Sequence, residues 1–300
     1  MNNREDFEPA TRNQALWASD TRRIIDGKVA EVYLERTGNA LPADLSEVEA
    51  VQWGLRLQDA IGRAVSEKMQ VGLKDADYML SHPRHPWMRS HFDFISEDGQ
   101  TLIEVKNYGS HQRKFYGDDG TQIIKPADKG QLVHEAAVHG VRKIVLAVLF
   151  GGQELCLYPF EIEDAEKDEL VEMLSVHWGQ IVSRTPPAAE SIEAAKRLYP
   201  VSVNNAIMAD QQLEQRVAML KQIKANIKVL ETEESRLQAR VQSQLADADT
   251  ILDIEGRVLA TWKSAKPSMT FDATLFKSAM PDVFEKFVVE KTGSRRFLIK

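Results

Sequence analysis

Apolar residues recur at Val48, Val51, Leu55, Ile61, Val65 and Met69. These spacings of three, four and seven fit a helix with one buried face, over residues 47–69. Ser46 precedes the stripe and Glu49 stands three residues on, the capping-box arrangement that starts a helix. Gln58 falls inside the stripe, where an apolar residue is expected. The period then changes to two. Residues 77–81 predict a strand, and 90–95 and 101–107 predict two more, joined around Asp98-Gly99, a hairpin signal. On the first of the pair His91, Asp93 and Ile95 share a face. On the second, Ile103 and Val105 share one face and Glu104 and Lys106 the other. A helix over about 127–139 ends at Gly140, a natural C-cap. Residues 143–150 are almost wholly apolar, as in a central strand covered on both faces. Gly151-Gly152 turns the chain into a strand from Glu154 to Phe160, and an acidic helix follows to about Val182. The first 40 residues predict one or two short helices.

Thr185-Pro186-Pro187-Ala188-Ala189 predicts a linker. Beyond it, Leu213, Leu220, Ile227, Glu234, Val241 and Ala248 stand seven apart. Arg216, Ile223, Leu230, Leu237, Gln244 and Ile251 follow each by three. Nine of these twelve are apolar, so a long helix with a coiled-coil-like seam is expected from about 209 to 250. Its partner is another chain or another helix of this one. Val258–Lys263 and Phe297–Lys300 predict short strands. The expected organisation is a domain over 1–185, a linker region over 186–208, the long helix over 209–252 and a small basic region over 253–300.

Composition narrows the function classes. A single cysteine, Cys156, excludes an intramolecular disulfide, a four-cysteine zinc site and a cysteine-ligated cluster, and a small core residue is its expected role. The Met1-Asn-Asn-Arg-Glu-Asp start has no apolar segment, and no run of 18 apolar residues occurs. No secretory leader and no membrane span are therefore expected, and a reducing cytoplasm is the expected compartment. The net charge of −7 argues against a protein that coats nucleic acid. Residues 261–300, however, carry eight Lys or Arg against four Asp or Glu, and only a groove that touches phosphate needs to be basic. No phosphate-binding P-loop motif is present. His82, His85 and His91 crowd the approach to Asp93 as surface or groove residues rather than metal ligands. The five tryptophans are expected in the core, Trp87 being the best candidate for stacking on a base.

The chemistry concentrates at Asp93, Glu104 and Lys106. Two carboxylates on adjacent strands offer the hard oxygens that Mg²⁺ takes, and the Val105 carbonyl adds another. Lys106, two residues from Glu104, points to the same side and can orient the attacking water. The competing reading is a solvated strand face, the usual fate of Glu-x-Lys.

The order strand, Asp93, hairpin, Glu104-x-Lys106, helix, strand resembles the PD-(D/E)XK nuclease superfamily. Over about residues 14–182 it is similar, more narrowly, to the YqaJ viral recombinase family, relatives of phage lambda exonuclease. The resemblance takes in Trp17 with nearby arginines, Trp53-Gly54, His85-Pro86-Trp87, Asp93, Ile103-Glu104-Val105-Lys106 and Gln131. The stretches Leu259–Lys263 and Ser294–Lys300 look like the end of longer phage members. It implies an α/β (α+β) restriction-endonuclease-like core, with a central mixed sheet flanked by helices, followed by the long helix and a small mixed tail. It implies Mg²⁺, with Mn²⁺ as a substitute, bound by Asp93, Glu104 and Val105. Lys106 then positions the water, Gln131 stands near the site, and Arg22, Arg23 and Lys28 fall near a phosphate-binding segment. The activity implied is a double-strand DNA exonuclease of phage or prophage recombination. The implied partners are DNA ends, a single-strand annealing protein and further copies of the chain. A same-fold endonuclease and a non-catalytic DNA-end-binding scaffold are the alternatives. Three departures matter: Gln58 stands where the family commonly has Glu, Phe92 rather than Pro precedes Asp93, and Glu135 follows Gln131 where related helicase-linked nucleases often have Tyr.

Overall fold

The computed structural model describes residues 9–76, 78–290, 293 and 295–300. The chain divides into two compact units, one to Pro200 and one from Val201. In the first unit, α1 (Pro9–Arg12), β1 (Leu16–Trp17), α2 (Ala18–Ile25), α3 (Val29–Arg36) and α4 (Glu49–Met69) lead into β2 (Leu73–Asp75), β3 (Met79–Ser81), β4 (Met88–His91), β5 (Phe94–Ser96) and β6 (Thr101–Tyr108). A 3-10 turn over Ser110–Phe115 follows, then α5 (Pro126–His139), β7 (Lys143–Phe150), β8 (Glu154–Glu161), α6 (Asp164–Val182) and α7 (Ile192–Leu198).

The five-stranded sheet runs β2-β5-β6-β7-β8, with β6 and β7 parallel and the other pairs antiparallel. This is the expected mixed sheet flanked by helices. The register sets Glu104 opposite Leu146 and Lys106 opposite Val148. β7 explains its own apolar run. Ile144, Leu146 and Val148 pack with Leu132 of α5 and Leu174 of α6, while Val145 and Ala147 pack with Ile61 and Val65 of α4. Helices thus cover both faces of the strand. Gly151 and Gly152, with φ of 60° and 72°, supply the left-handed positions of the three-residue loop from β7 into β8. Gly140, at φ 90°, ends α5.

Three sequence expectations change here. The strand expected over 90–95 is broken at Phe92-Asp93, so β4 joins a small sheet with β1 and β3 while β5 joins the large one. The Asp93 side chain causes the break. Its Oδ2 accepts the Val105 N–H at 2.8 Å, a bond the β5·β6 ladder would otherwise supply. The helix expected from 47 starts at Glu49, with Val48 as its N-cap. Asp44 Oδ1 captures the Ser46 N–H, so Ser46 is held in a turn before the helix. The apolar stripe of α4 is buried only in its second half. Ile61 and Val65 reach the sheet, whereas Val48 and Leu55 are 40% and 70% exposed, because the helix outruns the sheet it covers. Gly62 allows its close approach: a Cβ there would lie 2.5 Å from the Phe94 ring.

The linker region expected over 186–208 includes α7, which is tied to α3. Arg197 pairs with Glu31 at 2.6 Å, and Glu190 accepts the Ala30 N–H at 3.1 Å.

The second unit holds α8 (Gln211–Leu245), the antiparallel pair β9 (Thr250–Leu252) and β10 (Val258–Thr261), and the short helices α9 (Ala273–Ala279) and α10 (Pro281–Glu285). Asp210 caps α8 by accepting the Leu213 N–H at 2.8 Å. No strand forms at 297–300, where Phe297 and Leu298 are exposed with no strand beside them. The Met1–Asp6 start, Asp77 of the expected strand over 77–81 and Ser294 of the tail lie outside the described residues. Among the described residues no helix is long and apolar enough to cross a membrane.

Candidate active site

Asp93 stands at the strand break, reached by two donors. The Val105 N–H bonds Oδ2, and Gln58 Nε2 of α4 bonds Oδ1 at 2.8 Å. In an extended strand the N–H and C=O of a residue leave on the same side, so the Val105 carbonyl also faces this end of β5. Alternation along β6 puts Glu104 and Lys106 toward α5. Glu104 Oε1 accepts from Lys106 Nζ and, at 2.7 Å, from Gln131 Nε2. Gln131 also donates to Glu135 Oε1 at 2.8 Å, one turn along α5. Asp93, Glu104, Lys106, Gln131 and Gln58 are therefore brought together. Asp93, Glu104, Gln131 and Gln58 line a groove of about 910 Å³ that also takes in the exposed Leu55, and Lys106 joins them through Glu104.

The electrostatics follow from burial. Glu135 is 2% exposed and Glu104 6%. Burial, then the neighbouring charge of Glu104, pushes Asp93 up to about 8. The same two causes hold Glu135 well above the usual carboxylate range. Burial opposes the Lys106 ammonium, but Glu104, Tyr108 and Asp93 outweigh it and raise its pKa. Three carboxyl groups thus crowd one ammonium, an arrangement that disfavours the charged forms of Asp93 and Glu135. The donor set fits a hard divalent cation: the Asp93 and Glu104 carboxylates and the Val105 carbonyl are all oxygens. Among the described residues no group of three His, Cys, Asp or Glu side chains is already drawn into a metal-holding cluster.

The N-terminal basic residues separate. Arg22 Nε bonds Asp128 at 2.7 Å and its Nη2 bonds the Tyr108 hydroxyl at 3.1 Å, two residues along β6 from Lys106. Tyr116 closes the same network on Asp128. Arg23 is engaged by both oxygens of Glu35, at 2.7 and 2.6 Å, and does not line the groove. Lys28 is exposed at the start of α3. Trp17 stacks on His91 with centroids 5.3 Å apart, at the groove wall. Trp87 stacks on Trp178 of α6 at 5.9 Å, so it is a packing residue rather than an open stacking platform. Cys156 is buried in β8.

Glu135 stood out in the sequence only as a departure from related nucleases, and its place beside Gln131 and Glu104 was not read there. Its signal was the four-residue spacing from Gln131, which puts both on the helix face turned to β6. The Arg22–Asp128–Tyr108 network was missed too, although Tyr108 continues the Glu104, Lys106 alternation.

Residues 9–142 match the family model of the YqaJ-like viral recombinase domain. That stretch is similar to a YqaJ-like viral recombinase domain. The matched stretch contains the whole constellation from Gln58 to Glu135, and the match bears out the resemblance seen in the sequence. Among solved structures the chain is similar to an alkaline exonuclease from Laribacter hongkongensis, at 15% identity and a TM-score of 0.46, covering 58% of this chain and 91% of that one. In complex with dAMP the same exonuclease gives 17% identity and a TM-score of 0.47, covering 64% and 96%. A phage-related exonuclease from Haemophilus somnus gives 12% and 0.45, covering 57% and 96%. No curated protein matches the chain.

Proposed function

We propose that this protein is a Mg²⁺-dependent deoxyribonuclease, a double-strand DNA exonuclease of phage-type recombination. The observation that carries the reading is that Asp93 and Glu104 line one groove, with Lys106 paired to Glu104, within the stretch that matches the YqaJ-like model. Asp93 and Glu104, with the Val105 carbonyl, would hold Mg²⁺, and Mn²⁺ would serve in its place. When bound, the cation supplies Lewis-acid polarisation of the scissile phosphate and a more acidic water.

The chain's own residues do the rest. Gln58 and the Val105 N–H fix the Asp93 carboxylate from two sides. Gln131 and Lys106 fix Glu104. Lys106 presents a half-buried ammonium beside Glu104, a donor for the attacking water or for the negative charge that grows on the phosphate during in-line displacement. Glu135 takes the second bond of Gln131 and so sets the orientation of its amide. Arg22, held through Asp128 and Tyr108, is the basic residue placed to meet a phosphate near this face of β6. A single-strand annealing protein is the partner that goes with such an activity, in the cytoplasm of a bacterial host.

The deciding experiment is digestion of end-labelled linear and closed circular duplex with Mg²⁺, Mn²⁺, Ca²⁺ or excess chelator. Loss of the linear form alone, with Mg²⁺ or Mn²⁺ and not with Ca²⁺, is the expected result. Ca²⁺ takes longer and looser oxygen contacts and activates water poorly. Cutting of both forms makes the protein an endonuclease, and cutting of neither makes it a scaffold. Full activity in chelator removes the metal role of Asp93 and Glu104.

A further inference from the structure

α8 carries an apolar seam that the rest of its own unit leaves open among the described residues. Of its residues only Leu245 is buried, and Ile223, Ile227, Leu230 and Leu237 are 47%, 47%, 68% and 51% exposed. Two opposite charges interrupt the seam, Arg216 and Glu234. Neither has a hydrogen bond or ion pair among the described residues.

We infer that α8 is a self-association surface and pairs antiparallel with α8 of a second copy, about a twofold axis level with Ala225. In that register Leu213 faces Leu237 of the second copy, Leu220 faces Leu230 and Ile223 faces Ile227. Arg216 then faces Glu234. The twofold repeats each contact, giving six apolar layers and two Arg–Glu layers, so every seam residue from Leu213 to Leu237 meets a partner of its own kind or of opposite charge.

Other arrangements fail on those two charges. A parallel pair in register sets Arg216 on Arg216 and Glu234 on Glu234, and like charges face to face are strongly unfavourable. Sliding the antiparallel pair by one heptad sets Arg216 against Val241 and Glu234 against Ile223. Sliding it the other way sets Arg216 against Ile227 and carries Glu234 past the start of the helix. Either slide buries a charge without a counter-charge. The polar breaks thus act as register marks, the best-attested use of polar residues in a coiled-coil seam.

The test uses the full chain. Cys156 is buried, so an introduced thiol is the accessible one. Asn226 lies beside the seam next to Asn226 of the second copy, and Asn226→Cys with a short bismaleimide should yield a covalent dimer on a denaturing gel. Glu234→Cys should not, because its two copies lie about 27 Å apart along the axis at ~1.5 Å per residue. Within the Asn226→Cys background, Arg216→Glu or Glu234→Arg should each weaken association by roughly a hundredfold or more. Both reversals together should restore the cross-link, as should mixing the two single reversals. Far-UV circular dichroism checks that each variant keeps its helix content. Absence of a covalent dimer with Asn226→Cys, an equal yield with Glu234→Cys, indifference to the single reversals or no rescue by the double would each overturn the assignment. None of these outcomes depends on whether the protein cleaves DNA.

Discussion

Lys106 is a half-buried ammonium paired with Glu104, and that pairing separates binding from chemistry. Lys106→Ala should lower cleavage by ~10²–10⁴-fold, the range for a group that acts in the transition state. Duplex binding, which the rest of the groove supports, should stay near normal in a filter or anisotropy assay; near-normal turnover would return Glu104 and Lys106 to the status of a strand face. Gln58 gives the complementary test. Its amide donates to Asp93 at 2.8 Å, so Gln58→Leu removes a donor and should slow cleavage. Gln58→Glu adds a carboxylate to an oxygen donor set and should lower the Mg²⁺ concentration for half-maximal activity. An unchanged Mg²⁺ requirement would mean that position 58 only props Asp93. The alternation along β6 made the Glu104 and Lys106 geometry legible in the sequence. Glu135 was not legible in the same way, because its role depends on how α5 is rotated about its own axis, and that is set by packing of Leu132 and Ala136 against the sheet.

At the scale of elements, α5 is held by a buried histidine. His134 Nδ1 meets the Thr21 hydroxyl of α2 at 2.7 Å, and its Nε2 meets the Arg89 carbonyl of β4 at 3.1 Å. Burial pushes its pKa down to about 3. An unfolded histidine protonates near 6.5, so below that pH the unfolded chain binds a proton that the folded chain refuses. The contribution of His134 is full above pH 6.5 and is lost toward pH 3 as pH falls, at about 1.4 kcal/mol per unit. Asp93 and Glu135 titrate with the opposite sign, but they cancel in the difference between wild type and variant. Denaturant unfolding between pH 6.5 and 5 should therefore show the wild type losing stability relative to His134→Gln as pH falls; parallel curves would place a proton on His134 in the fold. The existence of β7 was plain from its unbroken apolar run, that of β8 from its alternation, and those of α5 and α6 from the Gly140 stop and the acidic run that opens α6. The start of α4 and the break before β5 were not, because both are decided by an aspartate side chain taking a backbone N–H: Asp44 from Ser46, and Asp93 from Val105.

For the whole molecule, the ties from α7 to α3 place the useful cut after Pro200 rather than at Thr185. A chain ending at Pro200 should stay soluble and keep metal-dependent cleavage, whereas one ending at Thr185 loses the Arg197–Glu31 and Glu190–Ala30 contacts and should melt lower in a thermal scan. Equal melting temperatures would make α7 dispensable. The crossover from β6 through α5 to β7 carries a further consequence, in time rather than in space. β6 and β7 are parallel, so the long connection between them has to close before they can pair. Glu104 lies before that connection, while Gln131 and Glu135 lie on it. α8, by contrast, winds up from contacts three and four residues apart and needs no such closure. On dilution from denaturant, helical ellipticity should return first. The packing of Trp17 and Trp178 and the proposed cleavage activity should return later and together, because the groove does not exist until its most distant pieces of chain have met.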